Sequence, residues 1–274
     1  MKRVLALLFL IHVNVFCQTA VETFPDDLSF QPFAANVLEP KLGFNFQTGG
    51  NELSLNIGNS LDIFRYSFQD NSQLTFGADL FTFTLLRGEQ NFHFPVDAVD
   101  YLFGFNFSYK KKAGNTGFGG RLRISHISAH FVDGHFDGTH QRWRDGRNPK
   151  VYSREFIELN PFVKFSGVRV YAGFTYIFHV DPQEIKKDNY QLGFDYFAVG
   201  ILSESITPFF GYDIKLIHLD KYTANNSIVF GIKFGKPSGK GFSLFYNYYS
   251  GKSINGEYYD VNRKYSAIAI NLDL

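Results

Sequence analysis

Between residues 101 and 110 the chain changes character at every step. Tyr101, Phe103, Phe105, Phe107 and Tyr109 fall on one side of the register, and Gly104, Asn106, Ser108 and Lys110 on the other. A period of two is the period of a strand, whose successive side chains point to opposite faces. The pattern recurs. Ile228, Phe230, Ile232 and Phe234 oppose Gly231 and Lys233, and Tyr190, Leu192, Phe194 and Tyr196 oppose Gln191, Gly193 and Asp195. Near the C-terminus Ile268, Ile270, Leu272 and Leu274 alternate with Ala267, Ala269, Asn271 and Asp273. Large apolar residues on one face, with glycine, amides and charges on the other, fit a sheet with an apolar exterior and a polar interior.

The chain holds 33 Phe and 16 Tyr but one Trp and one Met, an excess of strand-favouring rings that suits a lipid-facing belt better than a soluble core. Beyond the N-terminus no apolar run approaches the ~20 residues of a membrane helix. A membrane-spanning form of this chain is therefore a closed barrel, the sheet that leaves no backbone group unpaired in lipid. A formal net charge of +1 gives no footprint for nucleic acid. Lys2 and Arg3, followed by an apolar-biased stretch from Val4 to Phe16, read as a secretory signal with cleavage after Cys17. Cys17 is the sole cysteine, so no disulfide framework exists, and bulky Phe16 before it argues against lipidation.

The expected organisation is a signal peptide over 1–17, a proline-containing periplasmic leader over 18–40 and one barrel over 41–274. Strands are expected at 41–48, 53–67, 72–87, 99–111, 117–130, 153–166, 168–180, 188–202, 207–218, 226–235, 240–250 and 263–274. That is an all-β, single antiparallel transmembrane barrel of about twelve strands with both termini periplasmic. The connectors support the phase. Those at 166–167, 203–205 and 236–239 are turn-like, whereas 88–98, 131–152, 181–187, 219–225 and 251–262 are long; the short 49–52 is the exception.

Several stretches resemble known proteins. The C-terminal strand looks like the insertion signal of outer-membrane barrels, although that family usually ends on an aromatic residue and Leu274 departs from it. The leader from Phe30 to Pro40 resembles the opening signature of a family of uncharacterised bacterial proteins predicted to be outer-membrane barrels. Ser125–His130 with Asp133, and Tyr176–Pro182, resemble internal motifs of the same family. The resemblance implies an integral protein of a Gram-negative outer membrane, in contact with its lipids and inserted by the barrel assembly machinery. It implies no activity.

One constellation has the residue types for chemistry. In Ser125-His-Ile-Ser-Ala-His130, residues His126, Ser128 and His130 share a strand face, with same-face neighbours roughly 6.6–6.8 Å apart. A serine nucleophile needs such a base and a group that orients it. The His-x-Ser spacing resembles that of outer-membrane phospholipase A and lipid A deacylase barrels. The resemblance implies His126 as base, Ser128 as nucleophile, and an orienting acid on the next strand, Glu155 or Glu158; Ala129 departs from the Asn or Gly common after their serine. Facing is the open point. Unbroken alternation from Leu122 and Ile124 puts His126 and Ser128 on the lipid side. A bulge at Ser125-His126 instead turns them into the lumen with Ile127, Ala129 and Phe131 outside, and this reading, which keeps polar residues in, is the expected one.

The loop beyond holds His130, Asp133, His135, Asp137 and His140, a weak set for a divalent cation because their spacing matches no metal motif. His179 and Asp181 at a strand end read as rim polarity. Arg121, Arg123, Lys164, Arg169, Lys215 and Lys233 are expected inside with Asp195 and Asp213, as a basic lumen or as pairs that plug it. Three functions follow. A structural or interaction barrel without cofactor is the primary reading, with no enzymatic role. A lipid acyl hydrolase using His126 and Ser128, for which Ca²⁺ is a candidate cofactor, is the alternative. A small channel or transporter is the third.

Overall fold

The computed structural model describes residues 20–273. The signal peptide expected over 1–17, the cleavage position expected after Cys17, and Leu274 lie outside these residues. Among the described residues there are fifteen strands, in chain order β1 (Ala20–Thr23), β2 (Leu42–Gln47), β3 (Glu52–Ser67), β4 (Ser72–Arg87), β5 (Val96–Ala113) and β6 (Thr116–Phe131). A two-residue hairpin in a loop supplies β7 (Phe136–Asp137) and β8 (Arg142–Trp143). Then come β9 (Tyr152–Phe165), β10 (Val168–Asp181), β11 (Asp188–Phe197), β12 (Ile206–His218), β13 (Tyr222–Gly235), β14 (Gly241–Lys252) and β15 (Asn262–Asp273).

Every neighbouring pair is antiparallel, and β15 pairs with β2 through Ala267↔Gln47 to Leu272↔Leu42, which closes the sheet. The closed wall contains twelve strands: β2 to β6 and β9 to β15. Strand β1 adds to one end of β3, Ala20↔Ser67 to Thr23↔Phe64, while β2 pairs with the opposite end of β3. Short turns join the strands at the end of the barrel from which β1 starts, except between β11 and β12. Between β9 and β10, Ser166 (φ 46°) and Gly167 (φ 83°) are both left-handed, the two-residue turn whose twist matches a hairpin.

Two expected boundaries move by four residues or more. The strand placed over 188–202 stops at Phe197, because Gly200 takes φ 79° and the chain turns there. The strand placed at 226 begins at Tyr222, four residues earlier, by pairing with His218 across the three-residue connector 219–221. The long/short phase of the connectors consequently fails at 198–205 and 219–221.

Facing follows the alternation. Phe103 (49%), Phe105 (56%) and Phe230 (50%) are exposed on the outer wall with Ile232, while Arg121, Arg123, Asp195 and Asp213 are buried inside. Lys164 has the inward parity but sits at the tight-turn end of β9, exposed.

The leader is not outside. Phe30, Phe33, Asn36 and Glu39 are buried, and the segment folds up into the lumen as a plug. Phe33 stacks on Tyr171 of β10 at 3.6 Å, and Arg169 donates to the carbonyls of Gln31 and Pro32 at 2.7 and 3.0 Å. Gly58 of β3 makes room for the entry: a Cβ there would lie 2.4 Å from the carbonyl oxygen of Pro40. Glu39 lies between Arg121, with which it forms an ion pair, and Arg123 at 3.1 Å, while Arg123 also binds Glu158 at 2.7 Å. Two guanidinium groups thus balance two carboxylates in a buried cluster.

Burial pushes the Glu39 carboxyl up, but Arg121 and Arg123 more than offset this and hold it at about 2, against an ordinary 4.5. A depressed carboxyl stabilises the folded state fully above its unfolded value and loses that contribution as pH falls through its folded value. The leader is therefore expected to stay docked from neutral pH to about 4.5 and to loosen progressively down to about 2. Amide exchange of residues 30–40, corrected for intrinsic rates, reads this directly. Protection that already collapses between pH 7 and 5 contradicts it.

Candidate active site on the outer wall

Strand β6 runs without interruption. Its register against β5 passes Gly104↔Ser125, Phe103↔His126, Leu102↔Ile127 and Tyr101↔Ser128 with no shift, and it is equally regular against β9. The expected bulge at Ser125-His126 is absent. Ile127 and Ala129 are buried inside, and His126, Ser128 and His130 stand on the outer wall with Leu122 and Ile124.

The reason lies in the interior at this level. Phe81, Phe83, Leu102, Ile127, Phe156 and Ile177 form one buried apolar cluster. The polar interior assumed for the whole barrel holds lower down, around Arg121 and Arg123. At the height of His126 the inside is apolar, and the outer wall carries the polar groups.

Glu155 of β9 is the register partner of His126 and shares its face. His126 Nδ1 lies 2.5 Å from Glu155 Oε1. A carboxylate only accepts, so Nδ1 carries the proton and a neutral ring is left with its Nε2 lone pair free. Ser153, opposite Ser128 in register, donates its hydroxyl to the same Oε1 at 3.1 Å. His179 of β10 bonds the other oxygen through its Nδ1. A register shift between Ile177 and His179 is what aims it there: Phe178 and His179 both face out, and inward parity resumes at Val180. Bulges commonly re-aim a side chain beside a functional site in this way.

The result is a polar island of His126, Ser128, His130, Ser153, Glu155 and His179 on an otherwise apolar surface. The Phe103 ring lies 5.0 Å from the His126 ring, and Ile124 and Ile157 adjoin it below. Among the described residues no hydrogen bond joins Ser128 to His126. The pair stands on one face two residues apart, and catalytic contacts of this kind often tighten only when substrate binds.

Of the residues singled out in the sequence, His126, Ser128 and Glu155 come together. Glu158 does not: it points into the lumen and binds Arg123. The loop set for a cation is dispersed. His130 is exposed on the wall, His135 is buried and stacked 4.2 Å from Phe131, and Asp137 pairs with His140 at 2.7 Å. Among the described residues no group of three or more His, Cys, Asp or Glu is placed to hold a metal ion. Asp195 pairs with Arg169 at 2.6 Å and Asp213 with Lys215 at 3.2 Å, so the inward charges are largely matched. Sequence reasoning missed Glu39, Ser153 and the turn of His179 toward Glu155.

The chain belongs to the family described as protein of unknown function (DUF1207), whose model matches residues 54–273. No curated protein sequence matches it. Among solved structures it is similar to outer membrane phospholipase A from Escherichia coli, at 11% identity and a TM-score of 0.56, over 89% of this chain and 93% of that one. The Salmonella typhi outer membrane phospholipase dimer with bound calcium is similar at 11% identity and a TM-score of 0.54, over 90% and 94%. At such identities the likeness is one of fold.

Proposed function

We propose that this chain is an integral outer-membrane barrel whose outer wall carries a serine hydrolase site for the acyl esters of membrane lipids. The observation that supports it is the His126–Glu155 hydrogen bond on the outer face, two residues from Ser128 and surrounded by apolar side chains. Facing an ionisable cluster to lipid costs about 2–4 kcal/mol for a cation at mid-depth and less for a carboxylate or near an interface, which makes such a cluster a candidate for function.

In this reading Ser128 Oγ attacks the ester carbonyl carbon while His126 Nε2 takes its proton. The imidazolium then returns that proton to the departing alcohol, the lysolipid. Water, activated by the same nitrogen, cleaves the acyl-serine and releases a fatty acid. Glu155 holds the ring in the Nδ1–H tautomer and stabilises it when charged, and Ser153 and His179 hold Glu155 in turn. Calcium prefers oxygen ligands. The one carboxylate of the island is already engaged by two imidazoles, so the residues do not fit a calcium site and no step runs through the ion.

The test is fatty-acid release from phospholipid in mixed micelles by the purified folded barrel, with and without added Ca²⁺. Steady release above a heat-unfolded control is expected. A folded sample that releases nothing in either condition overturns the proposal. Membrane placement has its own check. Nitroxides at positions 105 and 230 should be reached by lipid-soluble quenchers, and those at 106 and 213 should not. Equal accessibility of the two sets contradicts it.

A further inference from the structure

Above the apolar cluster lies a cavity inside the barrel, between Leu38 of the leader and the long-loop residues Leu219 and Ile254. Its empty space, mouth included, measures about 860 Å³. The walls are chiefly aliphatic and aromatic, with Ile177, Ile185 and Phe156 among them, and two cations line it, Arg154 and Lys215.

The two cations differ. Lys215 is matched by Asp213 at 3.2 Å. Arg154, among the described residues, has no carboxylate within ion-pair distance, and its buried Nε has no hydrogen-bond partner. The acids nearby are otherwise engaged. Glu158 binds Arg123 at 2.7 Å and accepts from Thr175, and Asp100 accepts from Asn255 and from the Gly256 N–H at 3.0 and 2.7 Å. The ring planes of Tyr152 and Phe156, each about 6.0 Å from the guanidinium carbon, flank Arg154 without neutralising it. Arg154 is half-buried, facing a largely apolar cavity without a carboxylate of its own, and an anion that brings its own apolar body would pair with it while filling the apolar walls.

From this geometry we infer that the lumen binds a single-chain carboxylate amphiphile, its carboxylate on Arg154 and its alkyl chain along Ile177, Ile185 and Leu219. One guanidinium without a carboxylate partner, beside one apolar wall, matches one carboxylate carrying one alkyl chain. Arg154 and Glu155 are neighbours on opposite faces of β9, so this site is separated from the outer polar island by the wall itself, and the inference does not rest on hydrolysis.

The experiment uses a photoactivatable alkyl-diazirine carboxylate on the intact folded protein, with the matching alcohol as control and mass-spectrometric mapping of the labelled residues. The carboxylate should label lumen residues such as Ile185 and Leu219, and the alcohol should label them at least tenfold less. Arg154→Gln should lower lumen labelling about tenfold, and Arg154→Lys should retain most of it. Labelling of the outer belt at Phe103 and Ile157 should not change, which shows that each variant is folded and inserted. Ser128→Ala should label the lumen as the natural chain does, so failure of the hydrolase reading leaves this result intact. Lumen labelling no greater than background, equal labelling by the alcohol, or labelling unaffected by Arg154→Gln overturns the inference.

Discussion

Ser128→Ala and His126→Ala are each expected to reduce lipid-ester hydrolysis by about 10³–10⁶-fold, and the double substitution by no more than the larger single effect. Nucleophile and base act as one unit, so losing either removes nearly all that the pair contributes. Glu155→Gln should fall short of this, by about 10²–10⁴-fold, because the amide can occupy the carboxylate's place but neither enforces the tautomer nor stabilises the imidazolium. Ser153 shares Glu155 Oε1 with His126 and His179 holds the other oxygen; Ser153→Ala and His179→Ala leave the His126–Glu155 bond in place and should cost about tenfold or less. The ranking carries the information. If Ser153→Ala abolishes turnover and Ser128→Ala leaves it intact, the nucleophile sits on β9 and the assignment is wrong. If all five variants retain full turnover, the activity belongs elsewhere. Retention of the heat-modifiable barrel on electrophoresis separates lost chemistry from lost fold.

The barrel was legible because its signal repeats. Twelve segments with a period of two, each bounded by turn residues, carry their own register, and errors at one end do not spread. The ends were less legible, as at Phe197 and Tyr222, since a strand stops where pairing stops and pairing is a property of the neighbour. The site was half legible. His126 and Ser128 stand out by spacing, and Glu155 by lying on the next strand. Their facing was misread because the rule of polar residues inside was applied at a height where Phe81, Leu102 and Phe156 fill the interior. Turning the pair inward also required a bulge in β6. The irregularity beside the site is in β10, between Ile177 and His179, where nothing in the local sequence marks it.

The leader shows the same limit more sharply. Its prolines read as a periplasmic leader, and only the fold brings Glu39 against Arg121, 82 residues away in the chain. What that contact is worth can be measured. Glu39→Ala leaves Arg121 and Arg123 buried with Glu158 as their one remaining carboxylate in the cluster. Breaking a buried ion pair by removing one partner costs about 3–5 kcal/mol, chiefly because a charge is left without compensation. The wall is held by its own strand ladders, so the loss should fall on leader docking. Amide exchange over residues 30–40 is expected to accelerate by about 10²–10³-fold, with β5 and β6 unchanged; each tenfold corresponds to about 1.4 kcal/mol. Glu39→Gln should lie between the two, retaining hydrogen-bonding capacity toward Arg121 and the Phe33 N–H without the charge. Replacing Glu39, Glu158, Arg121 and Arg123 together by Leu and Met should recover most of the protection, since a buried charge cluster is often matched by apolar packing of similar volume. Should Glu39→Ala exchange no faster than the natural chain, the cluster is not what holds the leader. The stacking of Phe33 on Tyr171 and the Arg169 bonds to Gln31 and Pro32 would then have to suffice.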